Sequence, residues 1–372
     1  RSDTMTGRER VLAAVSRSGL DRVPVSDAFW EDTLVRWRRE GLPDGADPAD
    51  HFGFDIAATS IDASPRFPAQ LLRKSDSHYT MRDRFGYVVT KALGKSRTVQ
   101  FHSHPVPSRD AWPAVRERFA LTPRGAARID TIPFPFRLET DPTREESLTR
   151  FHDLRRTNRY ILANAYGPFE ATWRLHGYER TLTDLLDDDE LIGEIGRTYT
   201  EFLMQVVDRC LQDSIVPDGF FLVEDLASTR GMLFSPDIWR RLHKPILSQL
   251  GAFLQERDVQ FWMHCCGNAE AIFDDLIECG VQVIQPLEAK SGLDVRLLRK
   301  RYGADLTFYG NIDVIAMAVS DGSAETEVKA KLSAFDRSGG YIFHSDHSVP
   351  PEVSFQRYSH VIDCVRKYGT YA

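Results

Sequence analysis

The strongest chemical signal in the sequence is the tetrapeptide His264-Cys265-Cys266-Gly267, which ends an apolar run typical of a β-strand. Residues two apart on a strand point to the same side, so His264 and Cys266 can bind one ion together while Cys265 faces the opposite side. An imidazole and a thiolate are ligands that zinc prefers. The motif therefore predicts a zinc-type site, although a cysteine in a buried strand is more often a packing residue.

Two later strand ends offer further metal ligands. Glu288 ends the next apolar run, and the last run ends in His344-Ser345-Asp346-His347, where any of the histidine or aspartate side chains could close the site. Three or four N, S and O ligands with one exchangeable position are the pattern of a catalytic zinc. The sequence thus predicts a metal site that several strand ends complete.

Other polar and aromatic side chains stand at or near the same strand ends. Glu224 and Asp225 could serve as a general acid–base pair, or could instead pair with arginines of the neighbouring insertion. Asp62 is a third candidate for proton transfer. The side chains expected to contact substrate are Tyr166, Trp173, Tyr309, Asn311, His344 and Asp346. Aromatic residues are also common in protein cores, which is the alternative for Trp173 and Tyr309.

These side chains need elements that bring several strand ends to one face. Short β-branched or aromatic runs alternate with stretches of helical period, which is the pattern of parallel strands joined by crossover helices. The predicted strands are Val23–Phe29, Phe54–Ile61, Tyr160–Tyr166, Gly219–Asp225, Val259–Cys266, Val281–Glu288, Leu306–Ile312 and Tyr341–His347. Eight strands close a (β/α)8 barrel, in which function gathers at the carboxyl ends of the strands. An open doubly wound sheet is the competing fold, but the sequence lacks its glycine-rich phosphate loop.

Two further features complete the predicted α/β architecture. Thr6 and Glu9 form a capping box, which predicts an N-terminal helical extension ahead of the barrel. The segment 76–157 is rich in Arg, Pro and His and has weak periodicity, so we expect a lid-like insertion with a small sheet or irregular structure. Residues 5–372 are therefore predicted to form a single barrel domain that carries this insertion.

The composition limits the classes of function. The chain has 372 residues, of which 42% are hydrophobic and 27% charged, and this is ordinary globular composition. A net charge of −7 disfavours a general nucleic-acid binder, which needs a basic face. We expect no membrane span and no signal peptide, because the sequence has neither pattern. The odd number of cysteines indicates reduced thiols and a cytoplasmic protein, with Cys210, Cys279 and Cys364 as packing residues.

Several motifs, in their order and spacing, are similar to those of the uroporphyrinogen decarboxylase superfamily. They are RERVLAAV near the start and the segments Asp21–Val25, His51–Ile56, Tyr166–Phe169, His264–Asn268, Tyr309–Asp313 and Gly339–Phe355. The resemblance extends from about Met5 to Tyr368 and implies a (β/α)8 barrel. It also implies one of two activities, a cofactor-free porphyrinogen decarboxylase or a cobalamin-dependent methyltransferase.

The decarboxylases of this superfamily resemble one another in an arginine-rich segment after the first strand, which binds substrate carboxylates. In this chain the corresponding segment has no arginine before Arg36. Its acidic residues Asp27, Glu31 and Asp32 would repel carboxylates. Asp62 is similar in position to the pyrrole-binding aspartate of the decarboxylases, and this activity stays an alternative.

The methyltransferase branch resembles the chain more closely. Its members bind zinc through a His-x-Cys pair on one strand and a Cys near the end of the chain, and His264 and Cys266 match the pair. Alignment of the last strand places His347 at the position of the late Cys, and Glu288 looks like the carboxylate that substrate displaces. The resemblance thus implies a zinc site of these four residues and a corrinoid (cobalamin), either as co-substrate or on a partner protein.

Three functions follow as hypotheses. The first is a zinc-dependent methyltransferase that moves a methyl group between a corrinoid and a small thiol or methoxy compound. The second is a decarboxylase-type lyase that uses Asp62 and the late histidines to handle protons. The third is a non-catalytic barrel that binds a tetrapyrrole, because Phe29, Trp30, Trp173 and Tyr309 would suit a large flat ligand. Large barrels often dimerise, so a homodimer is a further expectation.

Overall fold

The computed structural model describes residues 5–94, 99–122 and 127–371 of the chain. Its strands are β1 (Ile56–Ile61), β2 (Gln70–Lys74), β3 (His78–Arg82), β4 (Val88–Ala92), β5 (Val99–Ser103), β6 (Ile129–Asp130), β7 (Tyr160–Tyr166), β8 (Gly219–Val223), β9 (Ala227–Ser228), β10 (Gly231–Met232), β11 (Gln260–Cys265), β12 (Val283–Pro286), β13 (Thr307–Tyr309) and β14 (Tyr341–Ile342). Its α-helices are α1 (Gly7–Ser16), α2 (Glu31–Glu40), α3 (Pro48–Phe52), α4 (Trp112–Arg116), α5 (Arg144–Arg156), α6 (Pro168–His176), α7 (Tyr178–Asp187), α8 (Asp189–Gln212), α9 (Pro236–Leu242), α10 (Lys244–Gln255), α11 (Phe273–Glu278), α12 (Val295–Tyr302), α13 (Val314–Val319), α14 (Asp321–Leu332) and α15 (Phe355–Gly369). Short 3-10 helices lie at Arg109–Ala111, Glu270–Ile272 and Ala289–Ser291. Among these residues no helix has the length and apolar character needed to cross a bilayer.

Most of the predicted barrel strands pair in one parallel sheet. Its order is β1, β7, β8, β11, β12, β13 and β14, with each strand parallel to its neighbour, and β6 adds an antiparallel pair at the β1 edge. Helices separate successive parallel strands along the chain, such as α8 between β7 and β8 and α10 between β8 and β11. This alternation confirms the predicted α/β barrel class and brings the carboxyl ends of the strands to one end of the fold.

The first predicted strand, Val23–Phe29, lies between β14 and β1 but makes few hydrogen bonds. Val25 forms a parallel bridge with Phe343, and Phe343 N donates to Pro24 O at 2.9 Å. On the other side, Val25 O accepts a hydrogen bond of 2.7 Å from Asp55 N, just before β1. Pro24 has no N–H group to donate, which limits the ladder. The segment therefore joins the two ends of the sheet through isolated bridges in place of a regular strand.

Two hydrophobic cores hold the barrel together. The smaller core fills the amino-terminal floor of the barrel, where the rings of Tyr160 and Trp262 stack with centroids 5.1 Å apart. α1 packs against this core, and the capping box of Thr6 and Glu9 begins α1 as predicted. The larger core lies between the strands and the surrounding helices. It contains the buried thiols of Cys210, Cys279 and Cys364.

An antiparallel sheet of β2, β3, β4 and β5 lies in the region of the predicted insertion. The sheet begins at Gln70, ahead of the predicted boundary at 76, and α5 at the other end leads directly into the barrel strand β7. Phe101 of β5 packs edge to face on Trp173 of α6, with ring centroids 5.2 Å apart. The insertion therefore rests on the barrel through α6, the helix that follows β7.

Candidate metal centre

His264 and Cys266 lie on the same side of the chain at the carboxyl end of β11. The sulfur of Cys266 is 3.3 Å from Nε2 of His264. The nitrogen and sulfur ligands of a tetrahedral zinc lie about 3.6 Å apart, given bonds of about 2.1 and 2.3 Å, so the observed separation suits one shared ion. Cys265 faces the opposite side, where its sulfur accepts a hydrogen bond from Leu226 N at 3.4 Å. The alternation expected of a strand is present.

Asp225, predicted as one half of an acid–base pair, lies beside the candidate metal ligands His264 and Cys266. Its Oδ1 is 3.4 Å from Nε2 of His264 and accepts a hydrogen bond of 2.8 Å from the backbone N of Cys266. Ligand atoms of these three residues all lie within 4.8 Å of one another. Asp225 follows β8, the neighbour of β11, so the pairing of these two strands decides its position.

A second group of ligand atoms shares Cys266 with the first group. Cys266, Glu288 and His347 offer atoms within 4.8 Å of one another, from the ends of three different segments. Oε2 of the buried Glu288 accepts hydrogen bonds from Gly267 N at 3.2 Å and from Ser291 Oγ at 3.0 Å. The four predicted zinc ligands are therefore distributed over two groups that overlap at Cys266.

The charges of this centre favour a bound cation. Burial opposes ionisation of Asp225, but the hydrogen bond and charge of His264 outweigh it and lower the pKa of Asp225 to about 2. Burial disfavours a charged His264, yet the neighbouring Cys266 and Asp225 raise the pKa of His264 well above its usual value. The acidic groups of Asp225 and Cys266 thus stabilise positive charge at this position. A divalent cation would supply that charge instead and bind Cys266 as a thiolate, so the donor set fits zinc.

Gln285 connects the candidate metal centre to a second histidine. Nδ1 of His264 donates a hydrogen bond to Oε1 of Gln285, whose Nε2 donates to Nε2 of His344 at 3.2 Å. Nδ1 of His344 in turn donates to Ser345 O at 2.6 Å. This chain leaves Nε2 of His264 free to face Cys266, which is the nitrogen a metal would need. Gln285 was not predicted from the sequence, although a polar residue in a buried parallel strand was an available signal.

Asp27 contacts the far end of this hydrogen-bond chain, at His344 and Ser345. Its fully buried carboxylate accepts hydrogen bonds from Ser345 Oγ at 2.5 Å and from Tyr358 OH at 2.8 Å. Its Oδ1 also lies 3.4 Å from Nδ1 of His344. Burial raises the pKa of Asp27. Asp27, predicted from the sequence to repel substrate carboxylates, therefore forms its contacts inside the protein.

Glu224 and Asp62, both predicted for catalysis, belong to neither ligand group. Glu224 accepts hydrogen bonds of 2.9 and 3.0 Å from Phe169 N and Glu170 N in the first turn of α6, and burial raises its pKa well above the usual value. Asp62 accepts a hydrogen bond of 2.7 Å from Arg66 Nε. Burial opposes its ionisation, but the nearby arginines lower its pKa. The carboxyl group of Glu224 therefore caps α6, whereas that of Asp62 pairs with Arg66 and also lines a cavity together with Tyr166.

Comparison with known proteins decides the family. Residues 110–368 match the family described as uroporphyrinogen decarboxylase (URO-D). The chain belongs to the uroporphyrinogen decarboxylase family. A methyltransferase from Methanosarcina mazei is similar in structure to this family member, with a TM-score of 0.63 and 14% identity over 98% of this chain and 99% of that chain.

Two further solved structures share less of the fold of this uroporphyrinogen decarboxylase family member. A psychrophilic glycoside hydrolase family 10 endo-β-1,4-xylanase has a TM-score of 0.37 and 10% identity, covering 59% of this chain and 81% of that chain. Dispersin B has a TM-score of 0.34 and 9% identity, covering 61% of this chain and 77% of that chain. No curated protein matches the sequence.

A cavity of this family member that is partly open to solvent, here called the barrel cavity, adjoins the candidate metal centre. The cavity has a volume of about 670 Å3, and its lining includes His264, Gln285, Tyr309 and His344. The ring of Tyr309 meets that of His344 edge to face, with centroids 4.8 Å apart. Two of the residues predicted to contact substrate, Tyr309 and His344, therefore lie beside the predicted ligand His264. Trp30, expected at a flat ligand, stacks on the ring of His347 with centroids 5.5 Å apart.

A second cavity lies under the lid of this family member. It has a volume of about 240 Å3, is lined by Tyr166 among others, and shares Asn164 and Val223 with the barrel cavity. The guanidinium of Arg174 stacks 3.7 Å from the ring centre of Tyr166 and 4.1 Å from that of Trp173. The predicted substrate residue Tyr166 thus lines the lid cavity, and Trp173 holds the contact between lid and barrel.

The side chains of Asn311 and Asp346, also predicted to contact substrate, form hydrogen bonds with the backbone. Nδ2 of Asn311 donates to Leu287 O at 2.6 Å and to Leu293 O at 2.8 Å. Asp346 accepts hydrogen bonds from Ala289 N at 2.9 Å and from a second backbone N–H at the start of α13. Burial raises the pKa of Asp346 to about 6. Both side chains hold the loops that carry Glu288 and the start of α13 in place.

Proposed function

We propose that the protein is a zinc-dependent methyltransferase that moves a methyl group between a corrinoid and a small thiol or methoxy compound. The observation that carries the proposal is the donor set at the ends of the barrel strands. Nε2 of His264 and the sulfur of Cys266 lie 3.3 Å apart, with Asp225, Glu288 and His347 in the two overlapping ligand groups. Membership of an enzyme family and the fold shared with a methyltransferase support this choice.

His264, Cys266, His347 and Glu288 would hold the zinc, with Asp225 beside them. When bound, zinc supplies Lewis acidity that lowers the pKa of a substrate thiol or polarises a methoxy oxygen. A set with one thiolate and two neutral imidazoles neutralises the ion less than a set with two thiolates. We therefore favour oxygen-bound over sulfur-bound substrates for this centre.

The side chains of the protein prepare this centre for substrate. Gln285 holds Nδ1 of His264, so Nε2 is directed at the ion position. The hydrogen bonds from Gly267 N and Ser291 Oγ hold the carboxylate of Glu288, which is the proposed exchangeable ligand. The buried aromatic ring of Tyr309 gives an apolar wall to the barrel cavity, which we propose as the substrate site.

The methyl carrier and the cellular setting are part of the same proposal. We infer that a corrinoid, free or held by a partner protein, meets the substrate at the mouth of the barrel. Cys266 must stay reduced to bind zinc, which fits a cytoplasmic enzyme. The lyase alternative gains no support from Asp62, because its carboxylate is paired with Arg66 and held ionised.

The experiment is a zinc measurement with matched variants. Elemental mass spectrometry of the reduced protein is expected to find about one zinc fewer per chain in His264→Ala and in Cys266→Ala than in the wild type. Cys265→Ala is the matched control, since Cys265 lies one residue away on the opposite face and should leave the zinc in place. Methyl transfer from methylcobalamin to a thiol, and from a methoxy compound to reduced cobalamin, is then assayed with and without a chelator. A protein that holds no zinc, or an activity that the chelator does not change, would refute the proposal.

A further inference from the structure

Glu325, His360 and Cys364 form a further group of metal-ligand side chains on two helices outside the barrel strands. Glu325 belongs to α14, while His360 and Cys364 lie one turn apart on α15, which packs against α14. The ligand atoms of the three residues all lie within 4.8 Å of one another. We call this group the helix cluster. It shares no residue with the candidate centre in the barrel.

The geometry of the helix cluster suits zinc. Nε2 of His360 lies 3.4 Å from the sulfur of Cys364, near the 3.3 Å separation found for the barrel pair. Both values are close to the separation of about 3.6 Å expected for nitrogen and sulfur ligands of one tetrahedral zinc. The thiol is buried whereas Glu325 and His360 are half-buried. An ion can therefore enter from solvent while the sulfur stays protected.

Two neighbouring side chains orient the carboxylate of Glu325. Its Oε1 accepts a hydrogen bond of 2.5 Å from Tyr368 OH and another of 2.9 Å from Lys367 Nζ. Partners of this kind orient metal ligands in protein sites. The Lys367 side chain is 63% exposed, so its ammonium group can turn into solvent when a cation binds. Tyr368 then remains to hold the carboxylate.

We propose that the helix cluster binds one zinc-type divalent cation, with Glu325, His360 and Cys364 as ligands and water in the fourth position. An imidazole and a thiolate favour zinc over calcium and magnesium, which prefer oxygen ligands. The ion joins α14 to α15. It thereby stabilises the helix that carries Tyr358, the hydroxyl donor to Asp27 behind the barrel centre. This site stands independently of the proposed methyl transfer.

The test uses the full chain with the barrel centre disabled by His264→Ala and Cys266→Ala. After loading with Zn2+ under reducing conditions and dialysis, we expect elemental mass spectrometry to find about one zinc per chain in this background. Adding His360→Ala or Cys364→Ala should remove it, whereas adding His152→Ala, at an exposed histidine, should not. The proposal is overturned if the background protein holds no zinc, or if it keeps its zinc after His360→Ala. Either result would mean that His360 and Cys364 only form a hydrogen bond with each other.

Two further measurements test the proposal even if the Cys364→Ala protein, altered at a buried position, fails to fold. Co2+ loaded into the background should show a thiolate-to-cobalt absorption band that is lost in His360→Ala, a substitution at a half-buried position. Tyr368→Phe removes only the hydroxyl that orients Glu325, and it should weaken zinc binding by about tenfold or more. An unchanged zinc affinity in Glu325→Gln would contradict the assignment of Glu325 as a ligand.

Discussion

The side-chain amide of Gln285 joins His264 to His344 across neighbouring strand ends of the barrel. Its oxygen accepts a hydrogen bond from Nδ1 of His264, and its nitrogen donates to Nε2 of His344 at 3.2 Å. The parallel pairing of β11 with β12 sets His264 directly opposite Gln285. One amide thus selects which nitrogen of His264 is free for a metal, because the other nitrogen must carry the donated proton.

Replacing Gln285 should therefore weaken zinc binding without removing a ligand. We expect Gln285→Leu to lower the zinc affinity by about 10- to 100-fold, since His264 loses the acceptor that orients its ring. Gln285→Glu keeps an acceptor oxygen and should retain more of the affinity. Competition with a fluorescent chelator measures both, and Gln255→Ala, at an exposed glutamine of α10, is the control. Equal affinity of the wild type and Gln285→Leu would show that the amide does not position His264.

Glu224 should matter for stability more than for proton transfer. Its two oxygens accept from Phe169 N and Glu170 N, so Glu224→Ala leaves two buried backbone donors without these partners. We expect the free energy of unfolding to fall by about 1–3 kcal/mol in urea titrations. Glu224→Gln keeps one acceptor and should lose less. Unchanged stability of Glu224→Ala would contradict the capping role of Glu224. A Glu224→Gln protein that is fully stable but inactive would instead support a catalytic role.

His243 should make the protein less stable in mild acid. Its buried ring packs beside Phe169 and Phe234, and among the described residues neither ring nitrogen has a hydrogen-bond partner. Burial lowers the pKa of His243 from 6.5 to about 4. Between these values the unfolded chain binds a proton that the folded protein does not, so stability falls as the pH drops from about 6.5 to about 4, by about 3 kcal/mol in all.

The measurement for His243 is the free energy of unfolding across this pH range. His243→Leu removes the titrating group and should flatten the dependence by the same amount. Replacement of an exposed histidine, His152→Ala, should leave the slope of the wild type unchanged. If His243→Leu keeps the full slope, another group is responsible for the loss in acid.

Two helix glycines should respond in opposite directions to alanine. A Cβ at Gly251 of α10 would lie 1.8 Å from the backbone oxygen of Cys279, which a side-chain shift cannot relieve. We expect Gly251→Ala to cost about 3 kcal/mol of stability, although alanine favours helix. Gly322 of α14 has open space around the same position, so Gly322→Ala should be neutral or stabilising by up to about 1 kcal/mol. Thermal unfolding of both variants distinguishes packing from helix propensity, and a Gly251→Ala protein as stable as Gly322→Ala would contradict the close approach.

Much of the fold could be predicted because its signals are local. Each β7 residue from Tyr160 to Tyr166 was predicted, and the capping box of Thr6 and Glu9 begins α1 as expected. The strand Val23–Phe29 was predicted with regular pairing, but Pro24 limits its ladder to isolated bridges. Strand ends were generally predicted too long, since the last residues turn away from the ladder to reach loops, as Asp225 does after β8.

The candidate site could likewise be predicted only in part, because some of its features depend on one strand and others on contacts between strands. Alternation along one strand depends only on the backbone, so the sequence by itself determined that His264 and Cys266 face one side and Cys265 the other. Which residues of other strands meet them depends on the register between strands, and packing of the whole barrel sets that register. Only the tertiary structure could therefore place Asp225 beside His264 and Gln285 behind it.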